Sequence, residues 1–144
     1  MKYRTVLLDR SFLQALRAEH DPDHEAAKTL FWQLVDTYVA GSDQLFALST
    51  VLAELPDEFR KAALAPVLTL HVARQHLTAA ATITEVAPDD ALTLVMMQRH
   101  RIRAVATTRN VWDAFEIEVL KPVADDSGLN SRTEPTPAQR STAE

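Results

Sequence analysis

Three short stretches put oxygen-bearing or charged side chains directly behind apolar runs, and a fourth puts two aspartates at the head of one. VLLDRSFL sets Asp9 and Ser11 after Val6 to Leu8, and STVLAEL sets Ser49, Thr50 and Glu54 after Leu45 to Leu48. DDALTLV opens on Asp89 and Asp90, and TTRN sets Thr107, Thr108 and Arg109 after Ile102 to Ala106. Carboxylates gathered at one place repel and hold protons unless a divalent cation or an arginine neutralises them. A hard cation such as Mg2+ or Mn2+ takes oxygen ligands, commonly one or two carboxylates with waters and substrate phosphate. It also activates water for in-line attack. Taken singly, each acid has a plainer role: Asp9 forms a turn, Glu54 sits on a solvated helix and Asp90 belongs to a helix start.

Whether these acids meet depends on the elements that carry them. Thr5 to Leu8, Leu45 to Leu48 and Ile102 to Ala106 are apolar runs of strand length, and Ile117 to Leu120 alternates with charge. Between them, Glu25 to Val39 carries Ala26, Ala27, Leu30, Phe31, Leu34, Val35 and Tyr38 at helical spacing. HDPDHE before it predicts Asp21 as the N-cap, Pro22 at the first helical position and Asp23 in the first turn. Asp90 to His100 repeats the pattern with Ala91, Leu94, Val95 and Met97, and Asp89 after Pro88 is the expected cap. Strands alternating with helices predict an α/β fold, a three-layer α/β/α sandwich around a mostly parallel sheet. In such a sheet ligands gather at the carboxyl ends of the strands, where all four stretches fall. Phe59 to Val86 reads either as two short helices or as a helix and an edge strand HVARQHL.

The chain has 144 residues, enough for one well-buried core, and its formal net charge of -5 argues against broad affinity for phosphate polymers. It has no cysteine, which removes disulfides and thiolate metal sites, and two glycines, too few for a nucleotide-cradling loop. The apolar run of MKYRTVLLD stops at Asp9, short of a signal-peptide core, and no stretch approaches the ~20 apolar residues that span a bilayer. A cytoplasmic protein with no membrane partner is expected. Residues 123–144, largely ADDSGLNSRTEPTPAQRSTAE, read as a disordered tail, which leaves residues 1–122 as the domain. His20 and His24 read as surface residues rather than zinc ligands, since Lys28 stands where a zinc-protease helix needs its second histidine.

VLLDRSFL, STVLAEL, DDALTLVMMQRHRI and AVATTRNVWDAFEIEVL, in this order and with HDPDHEAA after the first helix, resemble a PIN domain over roughly Tyr3 to Pro122. The resemblance implies an α/β/α ribonuclease like the VapC toxins of bacterial toxin-antitoxin pairs, which cut RNA with Mg2+ or Mn2+ held by three or four acids. It also implies a homodimer and an antitoxin protein whose helix lies in a groove. By position, Asp9 matches the first acid, in an Asp-x-Ser pattern with Ser11, Glu54 the second and Asp90 the third. Asp9 and Asp90 are then the metal ligands. Thr107 matches the threonine of the last motif, and Arg109 stands where the fourth acid is expected. Another register takes Thr108-Arg109-Asn110 as a Thr-Arg-Asn variant with Asp113 as the later aspartate; the match through WDAFEIEVL, with Trp112 as the usual aromatic, favours the first. Turn positions that are glycine in many relatives are Arg101 and Glu116 here.

An arginine among three carboxylates has two consequences. Asp9 and Asp90 hold one ion while Glu54 orients water and Arg109 contacts the scissile phosphate, or a salt bridge of Arg109 replaces the metal and leaves an RNA- or protein-binding module. A phosphatase of the haloacid dehalogenase type is a further alternative, since it also uses an Asp after the first strand. Its general acid two residues on is Ser11 here, which supplies no leaving-group proton. Phe31, Trp32, Leu34, Val35, Tyr38 and Val39 make an apolar face wider than one sheet contact requires, and the excess suits a second copy or a partner helix.

Overall fold

The protein is described by a computed structural model covering residues 4–112 and 115–123. Asp113 and residues 124–144 of the expected tail lie outside the described residues.

The central strand is dictated by its sequence. Val6, Leu7 and Leu8 are all fully buried, so β1 (Arg4–Leu8) has protein on both faces, as a run without polar alternation demands. It pairs in parallel with β2 (Asp43–Leu48) on one side and β4 (Ala104–Ala106) on the other. With β3 (Val67–Leu70) and β5 (Glu118–Leu120) outside these, the order is β3-β2-β1-β4-β5, and every pairing is parallel. The expected α/β sheet is therefore present, and wholly parallel among the described residues.

Between β1 and β2 run α1 (Arg10–Arg17) and α2 (His24–Val39), and α3 (Ser49–Leu52) and α4 (Asp57–Ala62) lie between β2 and β3. Then α5 (Arg74–Ala81) and α6 (Pro88–Arg99) lead into β4. The chain steps outward from β1 to β3 and then returns past β1 to β4. With right-handed crossovers this reversal places α1 to α4 on one face and α5 with α6 on the other. Between β1 and β4 the sheet therefore has its switch point, where a crevice opens beyond the carboxyl ends.

Several local expectations are corrected. Helix α2 begins at His24 rather than Pro22: Asp21 instead accepts the N–H of Asp23 in a turn, and Asp23 is the N-cap. His24 is not a surface residue. It is buried, and its Nδ1 donates to the Ala15 carbonyl at 2.9 Å, joining α2 to α1. Helix α6 starts two residues earlier than its apolar spacing suggests, with Ala87 as N-cap, Pro88 at N1 and both Asp89 and Asp90 inside the first turn. The ambiguous stretch holds a helix, a strand at 67–70 and a second helix, and HVARQHL is not a strand. Pro56, lacking an N–H, separates α3 from α4 and becomes the N-cap of α4.

Arg101 occupies one of the positions the resemblance assigns to glycine, and its backbone is left-handed, at φ 56°. A left-handed residue with a Cβ costs about 1–2 kcal/mol, and a β-branched one pays most. Replacing Arg101 with Val should lower stability by about 1–2 kcal/mol, whereas Arg101→Gly should leave it equal or higher. Urea denaturation of the two variants checks this, and a valine variant as stable as the glycine one would contradict the assigned backbone.

Candidate active site

Asp9 is the first residue beyond β1, and its amide still donates to the Ala106 carbonyl at 3.1 Å, extending the β1–β4 ladder by one step. The chain then turns into α1, so Asp9 serves as N-cap: its Oδ1 accepts the Phe12 N–H at 2.9 Å and the Ser11 hydroxyl at 2.7 Å. Ser11 also accepts the Thr108 N–H at 3.0 Å and lies 3.1 Å from the Thr107 hydroxyl. Thr107, fully buried, accepts the Arg109 N–H at 3.0 Å. Two hydroxyls thus lock the end of β1 to the loop after β4. It is the Thr107 hydroxyl that reaches this junction, while Thr108 contributes its backbone N–H.

Burial pushes the Asp9 carboxyl above its ordinary range. Hydrogen bonds from Thr107, Phe12 and Ser11 oppose the shift, and the nearby Asp90 charge adds to it. Asp90, buried in the first turn of α6, is therefore close enough to Asp9 for their charges to interact. Its Oδ2 accepts from Arg109 Nη2 at 2.8 Å, while its Oδ1 makes no hydrogen bond among the described residues. Of the three carboxylates that Arg109 could pair with, the structure pairs it with Asp90.

Glu54 stands apart from that pair. It is half-exposed on the segment after α3 and bonded to Arg10 Nη1. Arg10, the first residue of α1, also grips Asp89 with two bonds, Nε to Oδ2 at 2.8 Å and Nη2 to Oδ1 at 3.0 Å. Sequence reasoning passed over Arg10 and read Asp89 only as a helix cap. Their signal was adjacency: each is the immediate neighbour of a singled-out aspartate, and a residue flanking an N-cap or a helix start is carried to the same edge. Of the residues singled out, the structure gathers Asp9, Ser11, Asp90, Thr107 and Arg109 at the switch point and ties Glu54 to its rim through Arg10. Asp113 lies outside the described residues.

A divalent ion can be tested against this donor set. Asp9 and Asp90 each keep one carboxylate oxygen outside the hydrogen bonds above, which suits a hard cation that retains several waters. Among the described residues no group of three or more acidic, histidine or cysteine side chains is placed to hold a metal. The residues therefore fit one ion on two carboxylates and do not form a closed protein cage. Ser11, where a haloacid dehalogenase phosphatase carries its general acid, is spent on fixing Asp9.

The Asp9 shift has a signed consequence. An acid whose folded pKa is raised binds its proton more tightly when folded, so stability falls as pH rises from about 3.9, the unfolded value, through the raised one. Asn at position 9 keeps the capping acceptor without the charge. In chelator, wild type should lose stability relative to Asp9→Asn across that window, read by urea denaturation from acid to neutral pH; a relative gain would refute the buried, ionising Asp9.

No helix among the described residues is long and apolar enough to cross a membrane. No protein-family model matches the sequence, and no curated protein matches it. Solved structures do. The sarcin-ricin-loop-cleaving toxin VapC20 of Mycobacterium tuberculosis superposes with a TM-score of 0.56 at 18% identity, over 78% of this chain and 98% of the toxin. VapBC2 of Rickettsia felis, solved with a DNA fragment from its promoter, gives a TM-score of 0.54 at 12% identity, over 81% of this chain and 98% of its own. The five-stranded parallel sheet with its surrounding helices is thus a PIN fold of the kind found in VapC toxins.

Proposed function

We propose that the chain is a PIN-type endoribonuclease that works with Mg2+ or Mn2+ and acts in the cytoplasm as the toxin of a bacterial toxin-antitoxin pair. The observation that carries this reading is the pair of buried carboxylates, Asp9 and Asp90, close enough at the sheet's switch point for their charges to interact. Asp9 and Asp90 are the metal ligands, and the ion when bound supplies an activated water and charge neutralisation at the phosphate. Ser11 and the Phe12 N–H orient Asp9 and favour its ionised form. Arg109, beside Asp90, is placed to contact the scissile phosphate and stabilise charge developing on it. Glu54 orients water once it leaves Arg10, and Thr107 and Asp113 support the site.

One observation favours a second reading. Arg109 lies on Asp90 at 2.8 Å, where a cation would otherwise sit, which suits a catalytically impaired PIN-fold module that binds RNA or protein. RNA cleavage with added Mg2+ or Mn2+ separates the two. The ribonuclease reading expects Asp9→Asn and Asp90→Asn to lose at least about 100-fold in rate, comparable to losing a ligand's supporting shell or more. Equal background cleavage by wild type and Asp9→Asn would overturn it. A gain of cleavage and of calorimetric Mn2+ affinity in Arg109→Asp would show that this arginine silences the site.

The toxin reading includes a homodimer and an antitoxin protein. On α2, Trp32 and Val39 lie seven residues apart on one face and are 60% and 77% exposed, with Tyr38 beside them. Light scattering after size exclusion should give about twice the 16.0 kDa of one chain, and a 16.0 kDa species at micromolar concentration would reject the dimer.

A further inference from the structure

The far end of α6 has no part in the site described above. The helix ends at Arg99 and the chain turns through His100, Arg101 and Ile102 into Arg103 and β4. Three arginines and a histidine thus fall within five positions, all exposed, while Ile102 is buried beneath them. Among the described residues none of the four is in an ion pair. Arg4, Arg10 and Arg109, by contrast, are each held by a carboxylate. Because the strands are parallel, this turn lies at the sheet edge opposite the carboxylates. The 12 residues of α6 separate the two ends by ~18 Å.

Cations at a helix C-terminus complement the macrodipole, which accounts for Arg99. That does not account for Arg101 and Arg103, which lie past the helix. Arg101 moreover keeps a left-handed backbone, at φ 56°, that glycine would adopt without strain. Strain retained at an exposed, charged side chain points to a use for that side chain. Arg101 and Arg103 both border a cleft of about 460 Å3 lined also by Met97, Ile102 and Phe115, with Glu116 its one acid. Unpaired guanidiniums suit phosphate oxygens, and an aromatic ring in the same cleft suits an unstacked base. A chain of net charge -5 repels a polyanion overall, and the arginines near the carboxylates are already engaged by acids. Affinity for a phosphate backbone must then come from a local patch that is free to give it.

We propose that the Arg99–Arg103 turn and its cleft are a second RNA-binding surface, which grips the backbone of a structured RNA at the sheet edge away from the carboxylates. This rests on the RNA reading above. The surface anchors the substrate at a distance while the crevice at the other end of α6 meets the bond to be cut.

The test is fluorescence anisotropy of a labelled RNA hairpin with the full chain in chelator, over a series of KCl concentrations. It compares wild type, the Arg101→Gly/Arg103→Gln double variant and Arg103→Gln alone. The double variant should bind about tenfold more weakly and flatten the log affinity against log salt slope by about 1.4, roughly 0.7 for each lost phosphate contact. Arg103→Gln, which leaves the turn's backbone untouched, should flatten it by about half as much. Wild-type binding with unchanged affinity and slope in both variants would overturn the second surface and leave the RNA reading standing. Absence of wild-type binding would overturn both. Loss of binding to a polyglutamate peptide with RNA affinity unchanged would assign the patch to an acidic protein segment, and would also overturn the proposal.

Discussion

The structure turns on one buried carboxylate that must be kept satisfied at the end of the central strand. Asp9 closes the β1–β4 ladder through its backbone and starts α1 through its side chain. Ser11 bonds it and at the same time accepts the amide of Thr108, so a single hydroxyl joins strand, helix and the loop after β4. Leaving a buried polar group unpartnered costs about 1–3 kcal/mol, and here both the carboxylate and the Thr108 amide depend on Ser11. The geometry of the crevice is therefore fixed by the same bonds that hold the fold together. Burial raises the Asp9 carboxyl above its ordinary range, and the bonds from Thr107, Phe12 and Ser11 offset part of that shift.

Charge balance around Asp9 follows from the same constraint. Four carboxylates, Asp9, Glu54, Asp89 and Asp90, converge on the carboxyl edge of the sheet, and two guanidiniums, Arg10 and Arg109, answer them. With all acids ionised, two negative charges are left, the amount one divalent ion neutralises. Arg10 is shared between Glu54 and Asp89 at the exposed rim, where ion pairs contribute little net stability. Arg109 acts on a buried carboxylate, where the pairing matters more, because an unpaired charge there is costly. The rim arginine thus bridges two exposed acids, and Arg109 neutralises a buried one.

Legibility followed the same physics. The three-aliphatic run before Asp9 has strand length and no polar alternation, and the spacing from Ala27 to Leu34 is that of one helix face, so the sheet's centre and its first covering layer were readable. The edge strand at Val67–Leu70 was not, because only Leu70 is fully buried and an edge strand leaves no unbroken apolar run. His24 escaped for a related reason: its burial comes from the packing of α2 on α1, and its bond to Ala15 spans a turn that spacing does not reveal. The places of Asp9, just behind β1, and of Asp90, in the first turn of α6, were legible. The arginine partners were not, since Arg10 reaches Asp89 across 79 positions of sequence and no local pattern encodes that contact.

Helix α6 shows how a chain of net negative charge can keep its signs apart. Asp89 and Asp90 occupy its first turn and Arg99 its last, each placed where the helix dipole favours that sign by about 0.3–1 kcal/mol. The helix dipole alone favours this separation of signs along α6. The acids are cheapest to keep where they face the crevice, and the basic residues are cheapest to keep at the opposite edge. The body between is almost wholly buried, from Ala91 to Met97, so the two charged ends are held rigidly at a fixed separation. Charges set on such a rod give α6 an acidic first turn and a cationic last turn at opposite edges of the sheet.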